Sequence, residues 1–179
     1  TQLTSLTNEL KAYAEQQAAD VLTEANDYTD EQLSNVGIPY LRNGLVSGVE
    51  PIVSNSGLAL GYHTEALDSG STALGNYADT TNTNATAVGS SAAASGAGAT
   101  ALGYAAVALG NNAVALGVAA TAKGLRTTAL GNNAAASDSY TTAVGHGAVA
   151  SNTNATAVGS SAKASGISAT VLGNNAAAS

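Results

Sequence analysis

Residues 85–103 read ATAVGSSAAASGAGATALG, and this stretch contains the pattern that governs most of the chain. The glycine that ends each Ala-Val-Gly or Ala-Leu-Gly returns every 14 residues: Gly61, Gly75, Gly89, Gly103, Gly117, Gly131, Gly145, Gly159 and Gly173. Seven residues after each of the first eight lies a second series: Asp68, Asn82, Gly96, Gly110, Gly124, Asp138, Asn152 and Gly166. Gly, Asn and Asp accept a left-handed backbone most readily, so we expect left-handed corners at this second series. Such a short repeat predicts a solenoid with two heptads and two corners in each coil.

Alanine occupies the positions that we expect to point into each coil. Counted from each corner residue, positions +3 and +5 are mostly Ala, as at Ala92, Ala101 and Ala106. Residues two apart in a strand share a face, so both alanines point to the same side. Two strands back to back leave room for little more than Ala, because protein interiors are close-packed. The pattern predicts a mainly β solenoid, and a glycine every seven residues excludes a long helix over these repeats.

The outward positions of the two strands in a coil differ. Before each 14-spaced glycine, position +6 is always Leu or Val and position +4 is mostly Thr, and we call this surface the ladder face. Nine aliphatic side chains in one row would form a large apolar patch in water, so we expect copies of the same chain to cover it. The predicted interface comprises Leu60, Leu74, Val88, Leu102, Leu116, Leu130, Val144, Val158 and Leu172, with Thr72, Thr86, Thr100, Thr128, Thr142, Thr156 and Thr170.

Residues 1–36 predict a helix with a coiled-coil seam. The seam starts with 3-4-3 spacing and continues at steps of four: Leu3, Leu6, Leu10, Tyr13, Gln17 and Val21. A helix with so narrow a seam is marginal alone, so we place these residues in the oligomer interface as well. Gln17 in this seam has two interpretations. It sets the register of the coiled coil or holds an anion or water on the coiled-coil axis, or it is an ordinary solvated glutamine. Residues 37–57 fit neither pattern and predict a connector, leaving residues 58–179 for the repeats.

Composition narrows the possible functions. The chain has a net charge of −7 and no cysteine, and its repeats hold almost as many bases as acids, which is not a nucleic-acid-binding pattern. No apolar run is long enough to insert into a membrane. His63 and His146 lie at separate corners without a carboxylate in the same repeat position, so we expect exposed loop residues rather than bases or ligands. We predict no enzyme, no metal site and no cofactor.

Residues 85–96 and 169–179 resemble the head repeats of YadA-type trimeric autotransporter adhesins, and Ala25-Asn-Asp-Tyr-Thr-Asp30 resembles the end of a stalk in such fibres. The resemblance implies a left-handed parallel β-roll, three rolls about one axis, and an α-helical trimeric coiled coil, here preceding the roll. The usual order is head before stalk, and the sequence shows neither a neck motif nor a β-barrel anchor. We therefore expect a segment of a longer fibre, anchored to the bacterial outer membrane through a part outside this chain.

The expected function is attachment of this homotrimer to extracellular matrix, host cells or other surfaces by multivalent, non-catalytic contact. The ligand and the residues that bind it are not identified, and the weak candidates are corner tyrosines: Tyr62, Tyr77, Tyr104 and Tyr140. One alternative is a phage tail-fibre segment or a purely structural spacer, since a helix precedes the roll. Another is an ice-binding solenoid, since threonines form a column on one face.

Overall fold

The computed structural model describes residues 11–21, 52–53 and 57–179, with the backbone alone for residues 52–53. The chain forms two compact units, Thr1–Leu45 and Val46–Ser179. In the first unit, residues 11–21 are an α-helix rich in Ala and Gln, which favour helix formation. An ion pair of 3.9 Å joins Lys11 and Glu15, and the Gln16 amide donates a hydrogen bond of 2.8 Å to Asp20, both one turn apart.

The second unit is a β-solenoid made of two parallel sheets. The strands that carry the ladder face form a nine-stranded sheet, which we call the ladder sheet. Its strands are β2 (Leu58–Leu60), β4 (Thr72–Leu74), β6 (Thr86–Val88), β8 (Thr100–Leu102), β10 (Val114–Leu116), β12 (Thr128–Leu130), β14 (Thr142–Val144), β16 (Thr156–Val158) and β18 (Thr170–Leu172).

The opposite strands form a ten-stranded sheet, which we call the variable sheet. Its strands are β1 (Ile52–Val53), β3 (Glu65–Ala66), β5 (Asp79–Thr80), β7 (Ala93–Ala94), β9 (Val107–Ala108), β11 (Thr121–Ala122), β13 (Ala135–Ala136), β15 (Val149–Ala150), β17 (Lys163–Ala164) and β19 (Ala177–Ala178). These strands have two residues each, shorter than those of the ladder sheet, because the corners take up the rest of each coil.

Each ladder strand pairs in parallel with the strand one coil away, in a register of 14 residues. Leu102 lies opposite Leu116, and Leu116 lies opposite Leu130. Equivalent side chains of successive coils are therefore stacked along the solenoid, and each repeat position becomes a straight column. The predicted solenoid of 14-residue coils and the helix over 11–21 are confirmed. The left-handed winding, the trimer and the boundaries at residues 36 and 57 stay predictions.

The interior consists of four stacked columns of alanines, two from each half of the coil. In the described part of the chain, the fully buried hydrophobic side chains are alanines, such as Ala92, Ala94, Ala101 and Ala106, while Val171 is the one larger buried aliphatic. Strand β7 shows the alternation directly, because Ala93 is half-buried on the outside whereas Ala94 is inaccessible. The predicted alanine interior is confirmed, and it follows from the small gap between two sheets of such short strands.

A few hydroxyl side chains replace alanine in this interior, and each finds a backbone carbonyl. The hydroxyls of Ser71 and Thr141 donate to the carbonyls of Asp68 and Asp138 at 2.6 Å, and that of Thr127 donates to the carbonyl of Gly124 at 2.9 Å. A buried hydroxyl without a partner would be destabilising, so these bonds explain why the exceptions are Ser and Thr.

Candidate functional site

The ladder face is the outward surface of the ladder sheet and remains accessible in the single chain. Leu102 is 41% exposed and Leu130 is 38% exposed, even though each is stacked between a Leu and a Val of the neighbouring coils. The threonines alternate with these aliphatics along each strand and point to the same side, as Thr72 and Leu74 do. The predicted interface residues of the repeats thus share one continuous surface, and no partner chain is needed to align them.

The outward surface of the variable sheet, which we call the variable face, has no such uniform column. Its row begins with the acidic residues Glu65 and Asp79, continues through small and aliphatic residues, and reaches Lys163 in β17. Leu109 on the same face is 45% exposed. The variable face therefore differs from coil to coil in charge and size, as the sequence predicts.

The corner that follows each ladder strand, which we call the ladder corner, requires glycine. Gly117 has a φ of 133°, and a Cβ there would lie 2.5 Å from the carbonyl oxygen of Gly131. The other 14-spaced glycines have φ values of 130–144°. A side chain would be strained by the backbone angle and would collide with the next coil, so the unbroken glycine series has a steric cause.

We call the corner that follows each variable strand the variable corner. Its left-handed residue is not the one that the sequence predicts. Asp68, Asn82, Asp138 and Asn152 do not adopt a positive φ. The left-handed residue lies two positions later, for example at Gly70 (φ 68°). Asp and Asn serve there because their side-chain oxygens accept a hydrogen bond from the next backbone N–H, as Asp138 does from Ser139 at 2.7 Å. The predicted position of the left-handed backbone was therefore wrong.

Three aromatic side chains meet at the ladder corners of the first two coils, and we call them the aromatic cluster: Tyr62, His63 and Tyr77. The rings of His63 and Tyr77 stack at 4.9 Å with an angle of 7° between their planes. Tyr62 meets both rings edge-on, at 4.2 Å from His63 and 5.6 Å from Tyr77. Tyr77 stays 55% exposed, so the cluster forms part of the surface.

The cluster changes the expectation for the corner residues. His63 is half-buried against Tyr77 and is not the exposed loop residue that the sequence predicts, whereas His146 is exposed. Tyr104 and Tyr140 are exposed, and in residues 57–179 they make no ring contact. The four candidate tyrosines therefore separate into a joined pair and two single residues. The signal for this was available, because His63 and Tyr77 are 14 residues apart and must stack.

Two carboxylates lie on neighbouring strands of the variable face, each two residues after His63 or Tyr77, and we call them the acidic pair: Glu65 and Asp79. Burial raises the pKa of the Asp79 carboxyl above its ordinary value of 3.8, and the nearby Glu65 carboxylate raises it further. The Oδ1 atom of Asp79 is buried and, among the described residues, has no hydrogen-bond donor. This pair combines like charges with an unsatisfied acceptor, which is unfavourable in the isolated roll.

Asp138 at a variable corner has the opposite environment. The Ser139 backbone N–H and the Thr153 hydroxyl both donate to it, at 2.7 and 2.9 Å, and they hold the pKa of its carboxyl below 3.8. Asp138 is therefore a structural acid, satisfied within its corner and by the next coil.

The seam residues of the N-terminal unit are only partly described. Tyr13, Gln17 and Val21 are spaced by four residues and lie on one side of the helix over 11–21, where Tyr13 and Val21 are 66% and 64% exposed. Leu3, Leu6 and Leu10 lie outside the described residues. The predicted seam stays a prediction, and so does the role of Gln17 in register or ion binding.

Neither metal-binding nor membrane-spanning features occur in the part of the chain that the structure describes. Residues 11–21, 52–53 and 57–179 contain no group of three His, Cys, Asp or Glu side chains that could hold a metal ion. No helix among these residues is long and apolar enough to cross a bilayer.

Comparison with known families agrees with the solenoid. The chain matches the YadA head domain repeat in overlapping stretches that cover more than half of its length: residues 55–78, 81–106, 94–120, 103–134, 122–148, 136–162 and 150–176. It therefore belongs to the family of YadA head repeats, which are non-catalytic domains of surface-exposed adhesins. The resemblance seen in the repeats is confirmed, and this chain is a segment of an adhesin head rather than an enzyme. No curated protein matches the chain.

Proposed function

We propose that this chain is a segment of a homotrimeric bacterial surface adhesin that attaches to extracellular matrix, host cells or other surfaces. The observation that carries the proposal is the ladder face, in which nine Leu or Val side chains form one accessible column. Burying a Leu or Val side chain contributes about 1.5–3 kcal/mol, so covering this column is a strong driving force for assembly. Three rolls that turn their ladder faces to one axis would cover it completely.

The N-terminal unit would assemble on the same principle. All residues of the helix over 11–21 are exposed in the single chain, including the apolar Tyr13 and Val21 on one side. A trimeric coiled coil over residues 1–36 would bury that side together with the leucines that precede it, and Gln17 would then face the axis. Residues 37–57 would connect this stalk to the head, formed by residues 58–179. The family resemblance adds left-handed winding and an outer-membrane anchor outside this chain.

Attachment would use the surfaces that the trimer leaves free, the variable face and the corners. Three copies per fibre and many fibres per cell would turn weak individual contacts into firm attachment without any catalytic group. The column of threonines is a feature of ice-binding solenoids, but here each Thr alternates with an aliphatic residue on the face that the trimer buries.

The first test is the mass of the recombinant chain by light scattering. We expect three times the 17.3 kDa of one chain. Replacing both Leu102 and Leu116 by Asp should release monomers, because charged groups in an apolar interface are strongly unfavourable. Leu109→Asp is the matched control, since Leu109 has similar exposure on the variable face. A monomeric wild type, or equal dissociation of both variants, would contradict the trimer.

The adhesive function has its own test. The wild type and the Leu102→Asp, Leu116→Asp variant are compared for attachment to a surface coated with extracellular-matrix proteins. We expect the loss of trivalency to weaken attachment by about a hundredfold or more. A wild-type trimer that attaches neither to such a surface nor to host cells would contradict adhesion and favour the alternative of a structural spacer or phage fibre.

A further inference from the structure

Charge is distributed unevenly along the roll. Between Arg42 and Lys123 the sequence contains no Lys or Arg, while the first coils carry Glu65, Asp68 and Asp79. The later coils carry Lys123, Arg126 and Lys163 against Asp138 alone. The end of the roll that follows the connector is therefore acidic, and the acidic pair and the aromatic cluster lie at this end.

The aromatic cluster is not required by the solenoid. The ladder-corner position of His63 and Tyr77 is occupied by Ser91, Ala105 and Ala119 in the following coils, with φ values of 51–58° in all five residues. A left-handed backbone costs about 1–2 kcal/mol for a residue with a side chain, and Gly or Asn lowers that cost. Two bulky rings at this position therefore contribute nothing that the corner itself needs.

The acidic pair directly follows the aromatic cluster along the chain. Glu65 is two residues after His63, and Asp79 is two residues after Tyr77, so each coil passes from an aromatic corner to an outward carboxylate. The two carboxylates repel each other, and Oδ1 of Asp79 is buried with no donor in residues 57–179. A cation beside the two carboxylates would relieve their mutual repulsion.

We propose that the aromatic cluster and the acidic pair form a binding site for an arginine side chain of a partner polypeptide. The guanidinium group is planar and permanently charged, stacks on aromatic faces and donates two parallel hydrogen bonds to carboxylates. An ammonium group is a more strongly hydrated point charge and uses the ring faces and the carboxylates less well at the same time. The inference rests on the proposed adhesive function, since it names the chemistry of one ligand.

The test measures binding of a Gly-Ser peptide with three spaced arginines to the intact chain by fluorescence anisotropy at physiological salt. Two matched peptides replace each arginine by lysine or by uncharged citrulline. We expect the arginine peptide to bind, the lysine peptide to bind more weakly and the citrulline peptide not to bind. Equal binding of the arginine and citrulline peptides would overturn the proposal.

Variants then locate the site. Asp79→Asn should weaken binding of the arginine peptide about tenfold or more, since it removes a charged hydrogen-bond acceptor. Asp79→Thr should also weaken binding of the arginine peptide. The position tolerates Thr, because Thr121 occupies it in a later coil. Tyr77→Ser, which introduces the residue found at Ser91, should weaken binding about two- to fivefold through the lost cation–π contact.

Two control variants change the same residue types elsewhere. Asp138→Asn introduces the residue found at Asn82 and Asn152, and Tyr104→Ser introduces the residue found at Ser90. Both should bind the arginine peptide like the wild type. Unfolding temperatures confirm that each variant is folded. Controls that weaken binding as much as Asp79→Asn and Tyr77→Ser would overturn the site.

Measuring attachment to the matrix-coated surface alongside peptide binding tests the arginine site and the adhesive function independently. If the wild type and Asp79→Asn attach equally and bind the arginine peptide equally, the site is wrong and adhesion stands. If the arginine peptide binds in an Asp79-dependent way while the wild type attaches to no surface, the site is supported and the adhesive function is contradicted.

Discussion

The two halves of each coil share one interior but differ outside. In one half, the ladder strand and the glycine that follows it hardly vary: mostly Thr, then Ala, then Leu or Val, and then Gly with a φ of 130–144°. In the other half, the variable strand and the variable corner keep only the inward alanine and change charge and size outside. Each half forms strands of its own sheet, in the same 14-residue register.

The comparison shows which constraints are steric and which come from outside the single chain. The inward alanines and the ladder-corner glycines are required by atoms of the same chain, since the interior has room for little more than Ala, Ser or Thr and the corner has none for a Cβ. Nothing within one chain requires the outward Leu and Val of the ladder face. Their regularity supports the trimer, and the freedom of the variable half fits a surface that meets different ligands.

The largest expected effect on the free energy of unfolding is at an inward alanine of the variable half, and its outward neighbour is the control. Ala94→Leu should lower the free energy of unfolding by about 3 kcal/mol, at the upper end of overpacking effects, because Ala94 is inaccessible between the two sheets. Ala93→Leu is the matched control on the outside and should change it by less than about 0.5 kcal/mol. Chemical denaturation measures both, and similar values would contradict the difference between the two sides of the strand.

A somewhat smaller effect is expected at the ladder corner. Gly117→Ala should destabilise the roll by about 2 kcal/mol, since φ is 133° and the added Cβ would lie 2.5 Å from the Gly131 carbonyl. Gly147→Ala should cost less, about 1 kcal/mol, because its φ of 62° is left-handed but Cβ meets only the Ser161 hydroxyl at 3.7 Å, and alanine occurs at the equivalent Ala105 and Ala119. Thermal unfolding compares the two, and equal loss would sink the steric explanation of the glycine series.

The smallest expected effect is the pH dependence of folding stability that two acids of the variable half contribute. The folded state raises the pKa of Asp79 above 3.8, so the folded chain binds this proton more tightly and stability from this group decreases as pH rises through that region. The folded state lowers the pKa of Asp138 below 3.8, so its contribution is present above that value and is lost as pH falls through the folded pKa.

Unfolding of the wild type, Asp79→Asn and Asp138→Asn between pH 2.5 and 7, at one protein concentration, checks these signs. Relative to the wild type, Asp79→Asn should gain stability as pH rises, whereas Asp138→Asn should lose stability. Shifts of the same sign in both variants would contradict the environments described for the two carboxyls.

Much of the fold could be predicted because repetition converts sequence spacing into spatial proximity. Residues 14 apart must stack, so the columns of Leu102 and Leu116 and of the inward Ala101 and Ala115 follow from the period alone. The same rule would have joined His63 to Tyr77 and Glu65 to Asp79, but their residue types do not repeat along the chain. The left-handed corner was misplaced because Gly, Asn and Asp suit such corners for two different reasons, backbone angle and side-chain capping.

The sequence by itself determined the period, the two-stranded coil, the alanine interior and the contrast between a uniform and a mixed outer face. These depend on local geometry and close packing, which a strict repeat makes visible. Only the tertiary structure decided where the backbone turns left-handed, how short each strand is, and that Oδ1 of Asp79 has no donor among the described residues while Asp138 has two. Those features depend on how neighbouring coils share hydrogen bonds and exclude water, which no single repeat contains.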